Sequence, residues 1–137
     1  MDTEGLFDPE TKAEARKRYE QLGPTAQVVV RETAKAMDFD TEEYDSRVTG
    51  DVVETARDAL FASMLAVSVG TREEYEEWRA ETDHAVTEVG SEHVEHAVWH
   101  APPFADEAVA ATFQDERRAA VDTLRRQAFG RLYREVV

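Results

Sequence analysis

The side chains best suited to chemistry are the four histidines, which fall within a stretch of 17 residues. On a helix over residues 92–101, His93, His96 and His100 would share one face, and with Glu92 they would offer nitrogen and oxygen ligands to a metal ion. On a strand, at about 3.3 Å per residue, His96 and His100 share a face but lie about 13 Å apart, too far to bind one ion. The β-like pattern around them favours the strand. We therefore predict no metal centre and no other cofactor, and keep these histidines as candidate ligands only for the helical case.

A second candidate is the loop Trp99 to Glu107, which mixes aromatic, imidazole and carboxylate groups. His100 beside Asp106 or Glu107 would supply the groups needed for general acid–base catalysis. The chain has no serine in a recognisable nucleophile setting and no glycine-rich phosphate loop. A buried structural turn is the commoner explanation of such a loop. A small hydrolase that uses a metal or this His/carboxylate set is the alternative function.

Two arginines of the last helix, Arg117 and Arg125, project within its apolar sector. An arginine in that position pairs with a carboxylate, lays its stem over the core, or binds an anionic ligand or partner. With Arg118 and Arg126 they would also form the contact surface of a nucleic-acid-associated regulator, which is a further alternative. The formal net charge of −14 opposes nucleic-acid binding.

The charge is the most informative property of the composition. The chain has 30 acidic and 16 basic residues, and only three of the basic residues are lysines. Carboxylates hold water and cations well whereas lysine stems expose apolar area, so this balance is typical of a surface in molar salt. Residues 1–95 carry the entire net charge of −14, whereas residues 96–137 hold six acids and six bases. This C-terminal region is therefore predicted to face a partner, either a second copy of the chain or another protein.

Length and composition limit the class of protein. The 137 residues are enough for one core, and we predict a single globular domain over residues 1–137. The absence of cysteine excludes disulfides, thiolate nucleophiles and iron–sulfur clusters. The longest apolar run, residues 59–69, is about half the length of a membrane span. No secretory signal opens the chain, so we expect a cytoplasmic protein without membrane contact.

Periodicity and capping signals predict four to five helices. Asp8 and Pro9 open the first, which ends before Gly23, and Pro24 opens the second. A third is expected over residues 51–69 with Leu60 in the middle of its apolar stripe. A capping box of Thr71 and Glu74 starts the fourth. The last is expected over residues 114–129.

Between the fourth and last helices the period changes. Short β-branched runs within residues 85–113 are separated by Gly-Ser and Pro-Pro, which favours strands over helices. We predict a small antiparallel three-stranded β-meander about residues 85–113, and an α+β, mostly α fold. The alternative for the last run is a helix that Asp106 caps and that continues into the C-terminal helix.

Three segments resemble a small haloarchaeal family of uncharacterised acidic proteins: Gly23 to Arg31, Ala56 to Ala62 and Leu124 to Arg131. The resemblance spans most of the chain and implies a halophilic archaeal cytoplasm, but it transfers no catalytic residue. The leading hypothesis is therefore a non-enzymatic structural or regulatory interaction protein that self-associates through its charge-balanced C-terminal region.

Overall fold

The computed structural model describes residues 1–137 and contains five β-strands, six α-helices and one π-helical turn. The strands are β1 (Asp2–Glu4), β2 (Val67–Thr71), β3 (Ala85–Val89), β4 (His96–His100) and β5 (Glu107–Phe113). The α-helices are α1 (Lys12–Gln21), α2 (Gly23–Ala36), α3 (Thr41–Arg47), α4 (Gly50–Met64), α5 (Arg72–Glu81) and α6 (Arg117–Ala128), and the π-helical turn Phe129–Tyr133 continues α6. No helix combines the length and the hydrophobicity that a bilayer-spanning segment requires.

Side-chain caps start four of the helices. Thr11, Asp40, Thr49 and Thr71 each accept a hydrogen bond from a backbone N–H of the first helical turn. The capping box of Thr71 and Glu74 is confirmed, since both of its reciprocal hydrogen bonds are present. Asp8 does not cap the first helix, because that helix begins one turn later, at Thr11.

The strands form one mixed five-stranded sheet in the order β1-β2-β4-β5-β3. The predicted antiparallel meander over residues 85–113 is wrong, because β3 pairs in parallel with β5 at the edge of the sheet and never with β4. β4 instead lies antiparallel between β2 and β5. The three strands of that segment exist, and the fold is α+β, but a local pattern of strands and turns does not specify which strands pair.

Strand β2 corrects the predicted third helix, which was expected to continue to Val69. Helix α4 ends at Met64, and Leu65 is already extended. Val67 and Val69 point into the core while Ser68 and Gly70 lie on the opposite face, so the end of the apolar run has the period of a strand.

Strand β1 was not predicted. Gly5, at φ +118°, allows the chain to turn after β1 and to pass against the backbone of Leu65 and Ala66. The N–H of Phe7 then donates to the carbonyl of Met64, and the N–H of Ala66 donates to the carbonyl of Phe7.

Helices cover both faces of the sheet. Helix α5 packs on one face, where Tyr75 contacts Ala97, Trp99 and Ala110. Helices α1, α4 and α6 cover the other face, and Phe61 of α4 is fully buried there. Four aromatic rings surround Phe61 with centroids 5.2 to 5.9 Å away, and these are Phe7, Tyr19, Phe129 and Tyr133.

Candidate functional site

The structure does not bring the candidate metal-ligating histidines together. His96 and His100 lie at opposite ends of β4, and His93 is exposed before that strand. The ring of His96 stacks on Phe113 and shares a hydrogen bond with the carbonyl of Gln114 through Nδ1. No three His, Cys, Asp or Glu side chains are grouped closely enough to hold a metal ion. The strand interpretation of this segment is confirmed by β4.

His100 forms a buried pair with Tyr133. Its Nδ1 lies 2.7 Å from the carbonyl oxygen of Ala66, which can only accept, so Nδ1 carries the proton. Because burial lowers the pKa of His100, the imidazole is neutral and its Nε2 accepts a hydrogen bond from the Tyr133 hydroxyl, over 2.7 Å. Burial raises the pKa of Tyr133, and the nearby Asp8 carboxylate raises it further. This arrangement fixes a neutral imidazole that joins β2, β4 and the C-terminal turn.

The catalytic set proposed for the loop after β4 is not assembled. Asp106 and Glu107 are exposed, and the two ring nitrogens of His100 bond to Ala66 and Tyr133 instead. The backbone carbonyl of Asp106 accepts a hydrogen bond from Ala85, and Glu107 begins β5. His100, Asp106 and Glu107 thus serve three different parts of the sheet.

Both candidate arginines bind groups of the N-terminal segment. Arg117 donates to the carboxylates of Asp2 and Glu4, each over 3.3 Å, at the exposed edge of the sheet. Arg125 is buried, and its Nε donates to the carbonyl of Leu65 over 3.0 Å. A second donor of Arg125 lies 3.4 Å from the carbonyl of Glu4. These contacts attach α6 to β1 and to the start of β2.

An apolar groove that the sequence analysis did not predict lies between helices α2 and α4. Its apolar lining comes from α2, from α4 and from the segment around α3 that connects them. The volume of the groove is about 430 Å³. Its apolar lining residues are Val29, Val30, Ala34, Met37, Phe39, Val48, Val52, Ala56 and Ala59. Three of these side chains remain well exposed: Val29 at 41%, Met37 at 60% and Val52 at 41%.

Acidic residues are concentrated in the segment that supplies Phe39, Val48 and Val52 to this groove. The segment of residues 38–54 contains seven acidic residues and one basic residue, Arg47. The acidic residues are all exposed, and we call them the acidic frame: Asp38, Asp40, Glu42, Glu43, Asp45, Asp51 and Glu54. The guanidinium of Arg47 lies over the ring of Phe39, 5.4 Å from its centroid. The lining of the groove is therefore apolar with one cation, Arg47, and part of that lining comes from a strongly acidic segment of the chain.

A sequence signal for the groove was present. Val28, Val29 and Val30 are consecutive, so a helix cannot bury all three against one neighbour. In the structure Val30 is buried, whereas Val28 and Val29 remain exposed on different sides of α2. The acidic segment between α2 and α4 has the composition of a solvated connector, yet it contains the groove residues Phe39 and Val48.

Comparison with known proteins places the chain in a family. The model described as Family of unknown function (DUF5809) matches residues 6–134. The chain belongs to this family. No curated protein and no solved structure matches it. The match to DUF5809 includes the groove and the His100–Tyr133 pair, but a family of unknown function assigns no role to either.

The buried imidazole predicts a loss of stability in mild acid. Burial is the main reason why the pKa of His100 lies below its ordinary value of 6.5; Ala66 and Asp8 oppose this shift and Arg125 adds to it. Below pH 6.5 the unfolded chain takes up a proton at this position and the folded chain does not. The free energy of unfolding should fall there by up to about 1.4 kcal/mol per pH unit.

Urea denaturation at several pH values from about 7.5 to about 5, which span the ordinary histidine pKa of 6.5, tests this expectation. His100→Gln should flatten the pH dependence, whereas His93→Gln, at an exposed position, should leave it unchanged. Equal slopes in the two variants would show that His100 is not the group that titrates.

Proposed function

We propose that this DUF5809 protein is a non-enzymatic interaction protein that binds a basic amphipathic helix of a partner protein in the groove between α2 and α4. The observation that carries the proposal is the set of exposed apolar side chains, Val29, Met37 and Val52, in one groove. A contiguous exposed apolar surface with a polar surround is typical of an interaction site. An amphipathic helix buries its apolar face in such a groove.

The acidic frame selects the partner. The segment that supplies Phe39, Val48 and Val52 to the groove carries seven carboxylates against the single cation Arg47, which favours a helix whose polar face carries Lys or Arg. A second copy of this chain would bring its own acidic frame against the first, and like charges at an interface are unfavourable. Charge complementarity thus supports a basic partner over self-association through this surface.

The charge balance of the C-terminal region has an intramolecular explanation. Strands β4 and β5 lie inside the sheet, and the uncharged stretches Ala97 to Trp99 and Ala108 to Ala111 are buried there. Burial in the chain's own core accounts for the scarcity of acidic residues in these strands. The charge balance of residues 96–137 therefore needs no partner to explain it, whereas the groove leaves apolar side chains exposed.

The acidity itself supports a setting of high salt. We propose a halophilic archaeal origin and a cytoplasmic location, because carboxylates in place of lysines suit a protein surface in molar salt. The salt dependence of folding tests the adaptation to high salt directly.

Binding of two synthetic peptides tests the groove. Both are fluorescently labelled amphipathic helices with the same leucine pattern, and their polar faces carry either lysine or glutamate. Fluorescence anisotropy should show tighter binding of the lysine peptide by about tenfold or more, since opposite charges attract and like charges repel. Raising the KCl concentration should reduce this preference because salt screens the charges.

Two matched variants locate the binding surface. Val29→Gln places a polar group in the groove and should weaken binding, whereas Val28→Gln changes a similarly exposed valine outside the groove and should not. Equal effects of the two variants would refute the proposal. Sedimentation that shows a dimer abolished by Val29→Gln would instead identify a second copy as the occupant.

A further inference from the structure

A small polar cavity lies on the α5 face of the sheet, near the end that α5 leaves open. Thr3 pairs with Ser68, and Ser68 pairs with Trp99, so these three residues form a row across β1, β2 and β4. Trp78 of α5 and Asp8 of the segment after β1 also line this cavity of about 190 Å³. At about 30 Å³ per water molecule, it has room for a group of a few heavy atoms.

Among the polar side chains that line this cavity, only His100 forms hydrogen bonds within the chain. The hydrogen bonds near the cavity join His100 to Ala66 and Tyr133, and Arg125 to Leu65 and Glu4. The hydroxyls of Thr3 and Ser68 and the carboxylate of Asp8 take no part in the hydrogen bonds within the chain. The side chain that would have capped the first helix is therefore left to face the cavity.

We infer that this cavity binds a small organic cation that carries an ammonium group. Asp8 supplies the negative charge. Trp78, which is partly exposed, supplies aromatic surface, on which cations bind favourably, and the buried ring of Trp99 stacks against it. The hydroxyl oxygens of Thr3 and Ser68 accept hydrogen bonds from an ammonium N–H where the cation has one. The site is independent of the α2–α4 groove.

The charges around the cavity agree with a cationic ligand. His100, which also lines it, donates from Nδ1 to Ala66 and accepts at Nε2, an arrangement that requires the neutral imidazole. The guanidinium that influences the pKa of His100 is that of Arg125, and its donors face the carbonyls of Leu65 and Glu4. Asp8 is therefore the only charged side chain that lines the cavity.

Tryptophan fluorescence tests this inference directly, because the chain has two tryptophans and both line the cavity. Tetramethylammonium chloride is exchanged for KCl at constant ionic strength and constant chloride. We expect a saturable change in emission with the natural sequence, and a midpoint raised by about tenfold in Asp8→Asn through loss of the counter-charge. Asp45→Asn removes an exposed carboxylate from α3 and should not change the midpoint.

Two further arms make each outcome decisive. The neutral tert-butyl alcohol, of similar shape, should give no saturable change, and Ser68→Ala should weaken binding of methylammonium more than that of tetramethylammonium, which has no N–H. An unsaturable response, or equal midpoints for Asp8→Asn and the natural sequence, would overturn the inference. Val29→Gln should leave this titration unchanged, so failure here and failure of the groove proposal are distinguishable.

Discussion

Replacing Phe61 by alanine is expected to lower the free energy of unfolding by about 3–5 kcal/mol. Phe61 is fully buried, and four aromatic rings contact it edge-on from α1, from the segment after β1 and from the C-terminal turn. Removal of its ring leaves a cavity among groups on three separate segments, which cannot all move inward to fill it. Urea denaturation followed by circular dichroism measures the loss.

The same helix provides the control. Ser63 is exposed, and its hydroxyl bonds only to the carbonyl of Leu60 within α4. Ser63→Ala should change the free energy of unfolding by about 0.5 kcal/mol or less. Leu60→Ala should fall between the two variants, because Leu60 is only partly buried. If Leu60→Ala lowered the free energy of unfolding more than Phe61→Ala did, Phe61 would not be at the centre of the core.

Lowering the salt concentration is expected to unfold the protein. Only six of the 30 acidic residues form ion pairs, so the other 24 carboxylates have no basic partner in the folded state. Repulsion among the other carboxylates opposes compactness, and salt screens it as the Debye length falls from about 30 Å at 0.01 M to about 3 Å at 1 M. Circular dichroism should show full helix content at about 1 M KCl and a cooperative loss below about 0.1 M.

A charge-reduced variant separates repulsion from other effects of salt. Glu42→Gln combined with Asp45→Asn removes two exposed charges from α3 and spares its cap, Asp40. The variant should fold at lower KCl than the natural sequence does, because less charge needs screening. Sucrose at matched osmolality should not replace KCl. Unchanged stability at low salt would mean that the acidity is not an adaptation to molar salt.

Local signals predicted the features that depend on neighbouring residues. The capping box at Thr71 and the strands within residues 85–113 follow from side chains a few positions apart, and the structure contains them. The pairing of these strands was not predictable, because β3 finds β5 through backbone groups that every residue carries. Hydrogen-bond donors and acceptors of the main chain do not differ enough between strands to specify a partner.

The candidate site shows the same division. The rise per residue of a strand is enough to predict that His96 and His100 lie far apart, and the structure places them at opposite ends of β4. No spacing indicates that His100 meets Tyr133, which lies 33 positions later in the chain. The groove likewise forms only when α2 packs against α4, which places Val29 and Val52 in one lining.

The sequence by itself determined the charge, the absence of cysteine chemistry, the α+β class and the starts of three of the six helices, α2, α4 and α5, because these depend on composition or on contacts within one turn. Only the tertiary structure decided the sheet order, the burial of Phe61 in place of Leu60, and the release of Asp8 from capping. The physical reason is that burial and strand pairing are set by segments far apart in the chain. Periodicity shows which faces are apolar, but not which neighbour covers each face.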